Sequence, residues 1–153
     1  MRNEIFSDIK FRTWIIYILC FVLSFFLSCS RQPLYPEPSR AGSGVVVDVR
    51  TLIPEIPIFF TYHYHNRKIN FFVIKINDKV LSFLDACTKC YPAKLGYRFD
   101  NGYIICRACN VRYSISEVEK GFGSCLPIQI TGHFQGGKFL ILLSEFERMA
   151  DKF

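Results

Sequence analysis

Cys87-Thr88-Lys89-Cys90, Cys106-Arg107-Ala108-Cys109 and Cys125 are the residues best suited to chemistry in this sequence. Two C-x-x-C pairs with fifteen residues between them can bring four soft thiolates to one point. A tetrahedral metal or an iron–sulfur cluster requires such a set. The two-residue gap lets a tight turn present both sulfurs on one side, where the turn's own N–H groups can hydrogen-bond them. On spacing alone the pattern reads first as a structural zinc site, with an iron–sulfur cluster and disulfides as the other readings. Zinc needs four ligands and leaves Cys125 over. The stretch Gly121-Phe122-Gly123-Ser124-Cys125 holds two glycines that permit a close backbone approach. A fifth thiolate there suits a cluster or a resolving thiol better than a plain zinc knuckle.

Other groupings carry less. His63 and His65 sit two apart on an expected strand, so both rings would face one side. They could bind copper or iron, but a polar strand face is the simpler reading. Glu117/Glu119 and Glu145/Glu147 are closely spaced, yet nothing near them completes an acid–base site. The sequence has no Gly-rich phosphate loop, no Ser/His/Asp set and no H-E-x-x-H. An Arg-Glu-x-x-Glu iron-permease motif is also absent.

The elements expected to position the cysteines are mainly antiparallel β. Strands are expected over 45–50, 56–64, 69–77 and 80–84, as a meander of hairpins. Asn101-Gly102 marks a further hairpin over 97–106, and Gln135-Gly136-Gly137-Lys138 joins two last strands. Leu143, Phe146, Met149 and Ala150 predict a short amphipathic helix over 143–152. The cysteines fall on knuckles and loops at one end of the sheet.

The chain of 153 residues is half apolar and 16% aromatic, enough for one domain with a real core and an appendage. Its net charge of +6 is spread thinly, with no run of five basic residues, so no nucleic-acid partner is expected. Residues 1–29 read as a lipoprotein-type signal peptide. Arg2, Lys10 and Arg12 form its positive part, diluted by Glu4 and Asp8. The apolar run from Thr13 to Ser28 is short for a membrane span and suits a signal core. Phe26-Leu27-Ser28-Cys29 resembles a lipobox, which makes Cys29 the expected lipidation site. An uncleaved helical anchor and simple secretion are the alternatives. Cys20 then leaves with the signal.

Residues 30–44, with Pro33, Pro36, Pro38, Gly42 and Gly44, read as a flexible tether, and 45–153 as the domain. Each of these arrangements puts the domain outside the cytoplasm, where unbound thiols oxidise. Five cysteines cannot all pair with one another, so either one is left over or a metal centre holds them as thiolates.

The string Phe83-Leu84-Asp85-Ala86-Cys87-x-x-Cys90-Tyr91-Pro92-Ala93-Lys94-x-Gly96-Tyr97-Arg98 is long and specific. With Cys106-x-x-Cys109 and Gly121-x-Gly123-x-Cys125-x-Pro127, it closely resembles the iron–sulfur domain of FtrD-like membrane proteins. The resemblance covers roughly residues 56–153. It implies an iron–sulfur cluster with Cys87, Cys90, Cys106, Cys109 and Cys125 as candidate ligands, zinc remaining the alternative metal. It also implies electron transfer in support of iron import, beside an iron permease and a periplasmic iron-binding or redox partner. The chain departs from the family in having Ser124 where Gly is expected, and in a lipid anchor that replaces the multi-spanning part. The expected location is the extracytoplasmic face of a cell membrane. The runner-up functions are a zinc-stabilised binding module and a thiol–disulfide oxidoreductase. Lys89, Lys94, Arg98, Arg107 and Arg112 would offset thiolate charge. Tyr91, Tyr97, Phe99 and Tyr103 would shield the centre from water.

Overall fold

The run from Ile69 to Ile74 is buried at every position, which is possible only for a strand covered on both faces. That strand is the middle of the molecule. The computed structural model describes Trp14, residues 33–121 and residues 123–153. Eleven strands are found among them. In chain order they are β1 (Ser39–Ala41), β2 (Gly44–Asp48), β3 (Ile58–Tyr64), β4 (Arg67–Ile76), β5 (Lys79–Cys87), β6 (Tyr97–Asp100), β7 (Tyr103–Cys106), β8 (Arg112–Ser114), β9 (Pro127–Ile130), β10 (Gly132–Gln135) and β11 (Lys138–Leu142). Two short helices, α1 (Ile115–Lys120) and α2 (Leu143–Glu147), complete the elements with three short 3₁₀ turns.

Three antiparallel sheets stack in layers. The central one runs β3-β4-β5-β9, with β1-β2-β11-β10 on one side and β6-β7-β8 on the other. Alternate β4 side chains therefore serve two cores. Ile69, Phe71 and Val73 pack with Val45, Val47, Phe139 and Ile141 of the first outer sheet and with Phe146 of α2. Phe72, Ile74 and Ile76 pack with Tyr97, Ile104 and Tyr113 of the other, and with Ile115 and Val118 of α1. Cys87, Cys106 and Cys125 belong to this second core. Burying a side chain of this size stabilises by about 1.5–3 kcal/mol, so the layers do not depend on any one hydrogen bond.

The mainly antiparallel β fold with few helices agrees with the sequence. β3-β4-β5 is the expected meander, and the β6–β7 hairpin turns at Asn101-Gly102 with both residues at positive φ. The expected helix over 143–152 is shorter than the pattern suggests. α2 ends at Glu147, and Ala150–Lys152 follows as a 3₁₀ turn.

Residues 33–44, part of the stretch expected as a tether, bond to the central sheet. Asn70 Nδ2 donates to the Pro33 carbonyl at 2.8 Å, the Tyr35 N–H to Thr61 Oγ1 at 2.9 Å, and the Thr61 N–H to the Pro36 carbonyl at 3.1 Å. Thr61 and Asn70 are opposite each other in the β3–β4 ladder and buried, so they need these partners. The Tyr35 ring stacks on Phe59 at 4.9 Å. β1 then pairs with β2 from Ser39 to Ala41. Residues 33–44 thus run as an irregular strap bonded to the β3–β4 ladder and to β2.

Cys20, Cys29 and, apart from Trp14, the signal-type segment lie outside the described residues. Among the described residues no helix is long and apolar enough to cross a membrane.

Candidate metal centre

Cys87 is the last residue of β5, and Cys125 lies two residues before β9, its neighbour in the sheet. The β5–β9 register shifts between Phe83 and Cys87, where it resumes opposite Pro127. That irregularity brings the two sulfurs together at 2.9 Å. Cys106 is the last residue of β7, opposite Tyr97 of β6, so the third ligand candidate comes from the facing layer. Cys90 caps a 3₁₀ turn over Tyr91–Ala93. Its N–H donates to Cys87 Sγ at 3.0 Å, the turn-to-sulfur bond that the C-x-x-C spacing predicts.

The sulfurs of Cys87, Cys90, Cys106 and Cys125 all lie within 4.8 Å of one another. Cys109 stands outside this four-membered group, exposed, with its sulfur 3.5 Å from that of Cys125. Cys90 Sγ is also 3.5 Å from Cys125 Sγ. Cys125 is therefore the hub: three of the other four thiols touch it directly. All five remain free thiols, with no disulfide among them.

The Cys125 backbone is clamped at both ends of its residue. Its N–H donates to the Tyr113 hydroxyl at 2.9 Å, and its carbonyl accepts from the Tyr97 hydroxyl at 2.7 Å. Tyr97 is fixed in turn, its N–H on Asp85 Oδ1 at 2.6 Å and its carbonyl accepting from Arg107 Nε at 2.8 Å. Asp85 sits in the β5 irregularity and is buried. The close approach allowed by Gly123 is made to Tyr113. At φ +143° its missing side chain leaves room for the Tyr113 ring, which a Cβ would overlap. Gly121 has a different task, closing α1 in the left-handed conformation at φ 74°.

The thiols shift one another's acidity. Burial first, then hydrogen bonds with its neighbours led by Cys87, pushes the Cys125 thiol up. Burial also works upward on Cys87, but bonds from Cys125 and from the Cys90 and Lys89 N–H groups outweigh it and bring that thiol down. The Val111 N–H is the main cause that lowers Cys109. At Cys90 the bond with Cys125 acts downward, yet burial with Cys109 and Cys87 pushes it up to about 12. A cation at this point would reverse the balance and hold thiolates outright.

Four converging thiols fit a metal–thiolate centre. A single tetrahedral ion with metal–sulfur bonds of about 2.3 Å holds its sulfurs about 3.8 Å apart, within the spread found here. A cluster of several irons places thiolates on different atoms, and seating it would need the ligand loops to move outward. The knuckle residues Cys90 and Cys109 are the ones free to do so, since Cys87 and Cys106 end strands.

Of the cations named from the sequence, Lys89, Lys94, Arg98 and Arg112 are exposed, while Arg107 is half-buried against the Tyr97 carbonyl. Lys94 lines a cavity of about 10 Å³ with Cys87, Cys90 and Cys106. Of the four aromatic residues expected as a shield, Tyr97 is buried at the centre and Tyr103 is exposed. The two histidines do not form a pair. His63 Nδ1 is 2.6 Å from Glu37 Oε1 without hydrogen-bond alignment, and His65 lies in the β3–β4 turn against the Tyr64 ring.

Tyr113, Tyr97 and Asp85 were not recognised from the sequence as clamps. One signal was available: Ser114-x-x-Glu117 is a capping-box pattern, and it starts α1 one residue after Tyr113.

A family model described as "Membrane iron-sulfur containing protein FtrD-like" matches residues 55–153. No curated protein and no solved structure matches the chain.

Proposed function

The chain belongs to the FtrD-like family of membrane iron–sulfur containing proteins, and from that premise we propose that it is a one-electron carrier tethered to a membrane. The single observation that carries this is the convergence of Cys87, Cys90, Cys106 and Cys125 within 4.8 Å at the edge of a buried core. These four thiolates would hold the centre, with Cys109 beside them. The centre supplies a redox couple. The chain would supply thiolates anchored at strand ends and on knuckles, backbone N–H groups on the sulfurs, and nearby cations that raise the reduction potential by offsetting negative charge. The working context we propose is iron import, with an iron permease and a periplasmic iron-binding or redox partner. Phe26-Leu27-Ser28-Cys29 supports a lipid anchor at Cys29 and an extracytoplasmic location. Loss of lipid labelling on Cys29→Ala tests that part separately.

Purification without oxygen, followed by metal and acid-labile sulfide analysis, tests the main reading. Iron with sulfide and a visible charge-transfer spectrum are expected. Stoichiometric zinc without iron or sulfide, from cells grown with ample iron, overturns it. That result would favour the second reading, a zinc-stabilised binding module, which the single-ion spacing of the sulfurs supports.

A further inference from the structure

The loops that carry the thiols are charged in one sense only. From Ala86 to Phe99 and from Asn101 to Ser116 the sequence has Lys89, Lys94, Arg98, Arg107 and Arg112 and no acid. The acids that come near are already engaged. Asp100 pairs with Arg98 at 3.1 Å at the far end of the β6–β7 hairpin, Asp151 pairs with Lys152 at 3.6 Å, and Asp85 is buried on the Tyr97 N–H. Arg107 is held by the Tyr97 carbonyl. Lys89, Lys94 and Arg112 remain exposed, and among the described residues none of them is in an ion pair.

Each of the three sits close to a thiol. Lys89 is between Cys87 and Cys90, Lys94 shares the small cavity with Cys90 and Cys106, and Arg112 lies three residues beyond Cys109, opposite Ile105 in the β7–β8 ladder. Arg112 is also held in place, its guanidinium 4.9 Å from the centre of the Tyr103 ring. Val111, next to Arg112 in the chain, is an exposed apolar side chain, while Tyr103, under the Arg112 guanidinium, sits at the hairpin end opposite Asp100. Cys109 is the one exposed thiol of the five. Unpaired cations on the thiol-bearing loops, beside an exposed apolar residue and the most accessible sulfur, make a recognisable docking design. The charges steer the encounter and the apolar part holds it.

We propose that this cationic face docks an acidic surface of a partner protein. The inference rests on the electron-transfer reading for the partner's identity as a redox protein, but not for the site's position or charge. On that reading the docked partner gains one electron close to the Cys109 sulfur. The chain loses one, and no bond is made or broken.

The test uses metal-loaded chain and a redox-inert trianion, hexacyanochromate(III), as the probe. Its paramagnetic broadening of amide resonances maps where a negative partner settles. Broadening centred on Lys89, Cys109, Val111 and Arg112 is expected, weakening as salt screens the cations. Lys89→Glu with Arg112→Glu should cut the anion's affinity about tenfold. Lys138→Glu, in the outer sheet on the other side of β4, should leave it unchanged. Broadening centred elsewhere, or unaltered by the double reversal, overturns the proposal. A second arm compares oxidation by hexacyanoferrate(III) with oxidation by hexaamminecobalt(III). The anion should react faster, and the double reversal should narrow or invert the gap. Anion docking at these cations with no oxidation by either reagent sinks the electron-carrier reading while the docking face stands.

Discussion

Tyr113 Oη accepts the backbone N–H of Cys125 at 2.9 Å, and the ring that carries this hydroxyl fills the space left open by Gly123. Three features of one short stretch are thereby coupled: a left-handed glycine, a buried tyrosine and the thiol at the hub of the cluster. The Gly-rich approach to Cys125 is a fitted joint, and its purpose is to fix the sulfur's position.

Gly123→Ala should therefore damage the centre through the fold. The new methyl overlaps the Tyr113 ring, and φ +143° is strained for any residue with a Cβ. A loss of about 1–3 kcal/mol from the backbone alone is expected, together with faster metal loss to a chelator. Gly121→Ala is the control: it meets nothing within 4 Å and carries only the left-handed penalty, about 1–2 kcal/mol. Denaturant unfolding of both variants separates the two. Equal losses would mean that the Tyr113 contact has no energetic weight.

Tyr113→Phe keeps the ring and removes the acceptor. The Cys125 N–H is then left buried without a partner, at about 1–3 kcal/mol. Metal dissociation should quicken while the secondary structure measured by circular dichroism stays the same. A dissociation rate equal to that of the unaltered chain would show that Tyr97, on the Cys125 carbonyl, holds the loop alone.

The five thiols should not be equivalent. Cys87→Ser, Cys106→Ser and Cys125→Ser each remove a buried candidate ligand from a strand end or the hub, and metal-binding energy is also folding energy. Each should lose metal and destabilise strongly. Cys109→Ser should keep the metal stoichiometry, because its sulfur lies outside the group of four. A Cys109→Ser chain without metal, measured by elemental analysis, would move Cys109 into the ligand set.

That ordering was hidden in the sequence. Both C-x-x-C pairs look alike there, and Cys125 looks like the spare. The local spacing was legible because a turn's hydrogen bond depends only on near neighbours: Cys90 N–H meets Cys87 Sγ as expected. The hub was not legible because it depends on β5 pairing with β9 across thirty-eight residues, through an irregularity at Asp85. β9 itself gave little signal. It opens on Pro127, which has no N–H to give and sits at an edge of the central sheet. The strands β3 to β7 were readable because β-branched and aromatic runs bounded by turn residues are local properties.

Ser114 offers a test of the capping box beside Tyr113. The Ser114 hydroxyl and N–H both donate to Glu117 Oε2 at 2.7 Å, and these bonds, hydroxyl first, hold the Glu117 carboxyl below the usual range. A depressed folded value means that the carboxylate stabilises the fold above the unfolded pKa, about 4.3. That contribution fades as pH falls through the lower folded value. Ser114→Ala should cost about 1 kcal/mol at neutral pH. Because metal loss in acid is common to both chains, the difference between their unfolding curves isolates the cap. It should shrink below pH of about 4. A difference that stays constant down to strong acid would remove Glu117 from the cap.

The strap over residues 33–44 makes the last prediction. A chain shortened to begin at Val45 loses the Pro33 and Pro36 carbonyls and the Tyr35 N–H. Those groups serve Asn70 and Thr61, both buried in the central sheet. It also loses the β1 edge, the stack on Phe59 and the Ser43 carbonyl that receives the Leu143 N–H at the start of α2. Each lost bond is worth about 1 kcal/mol. The three that serve Asn70 and Thr61 should by themselves lower the unfolding midpoint by roughly 10–20 °C in a domain of this size. A chain that begins at Gln32 keeps all of these partners and should melt with the full-length protein. Slack tether and ordered strap differ sharply in this comparison. A tether contributes nothing to the fold, so both truncations would then melt together. A midpoint depressed only in the shorter chain assigns residues 33–44 to the domain.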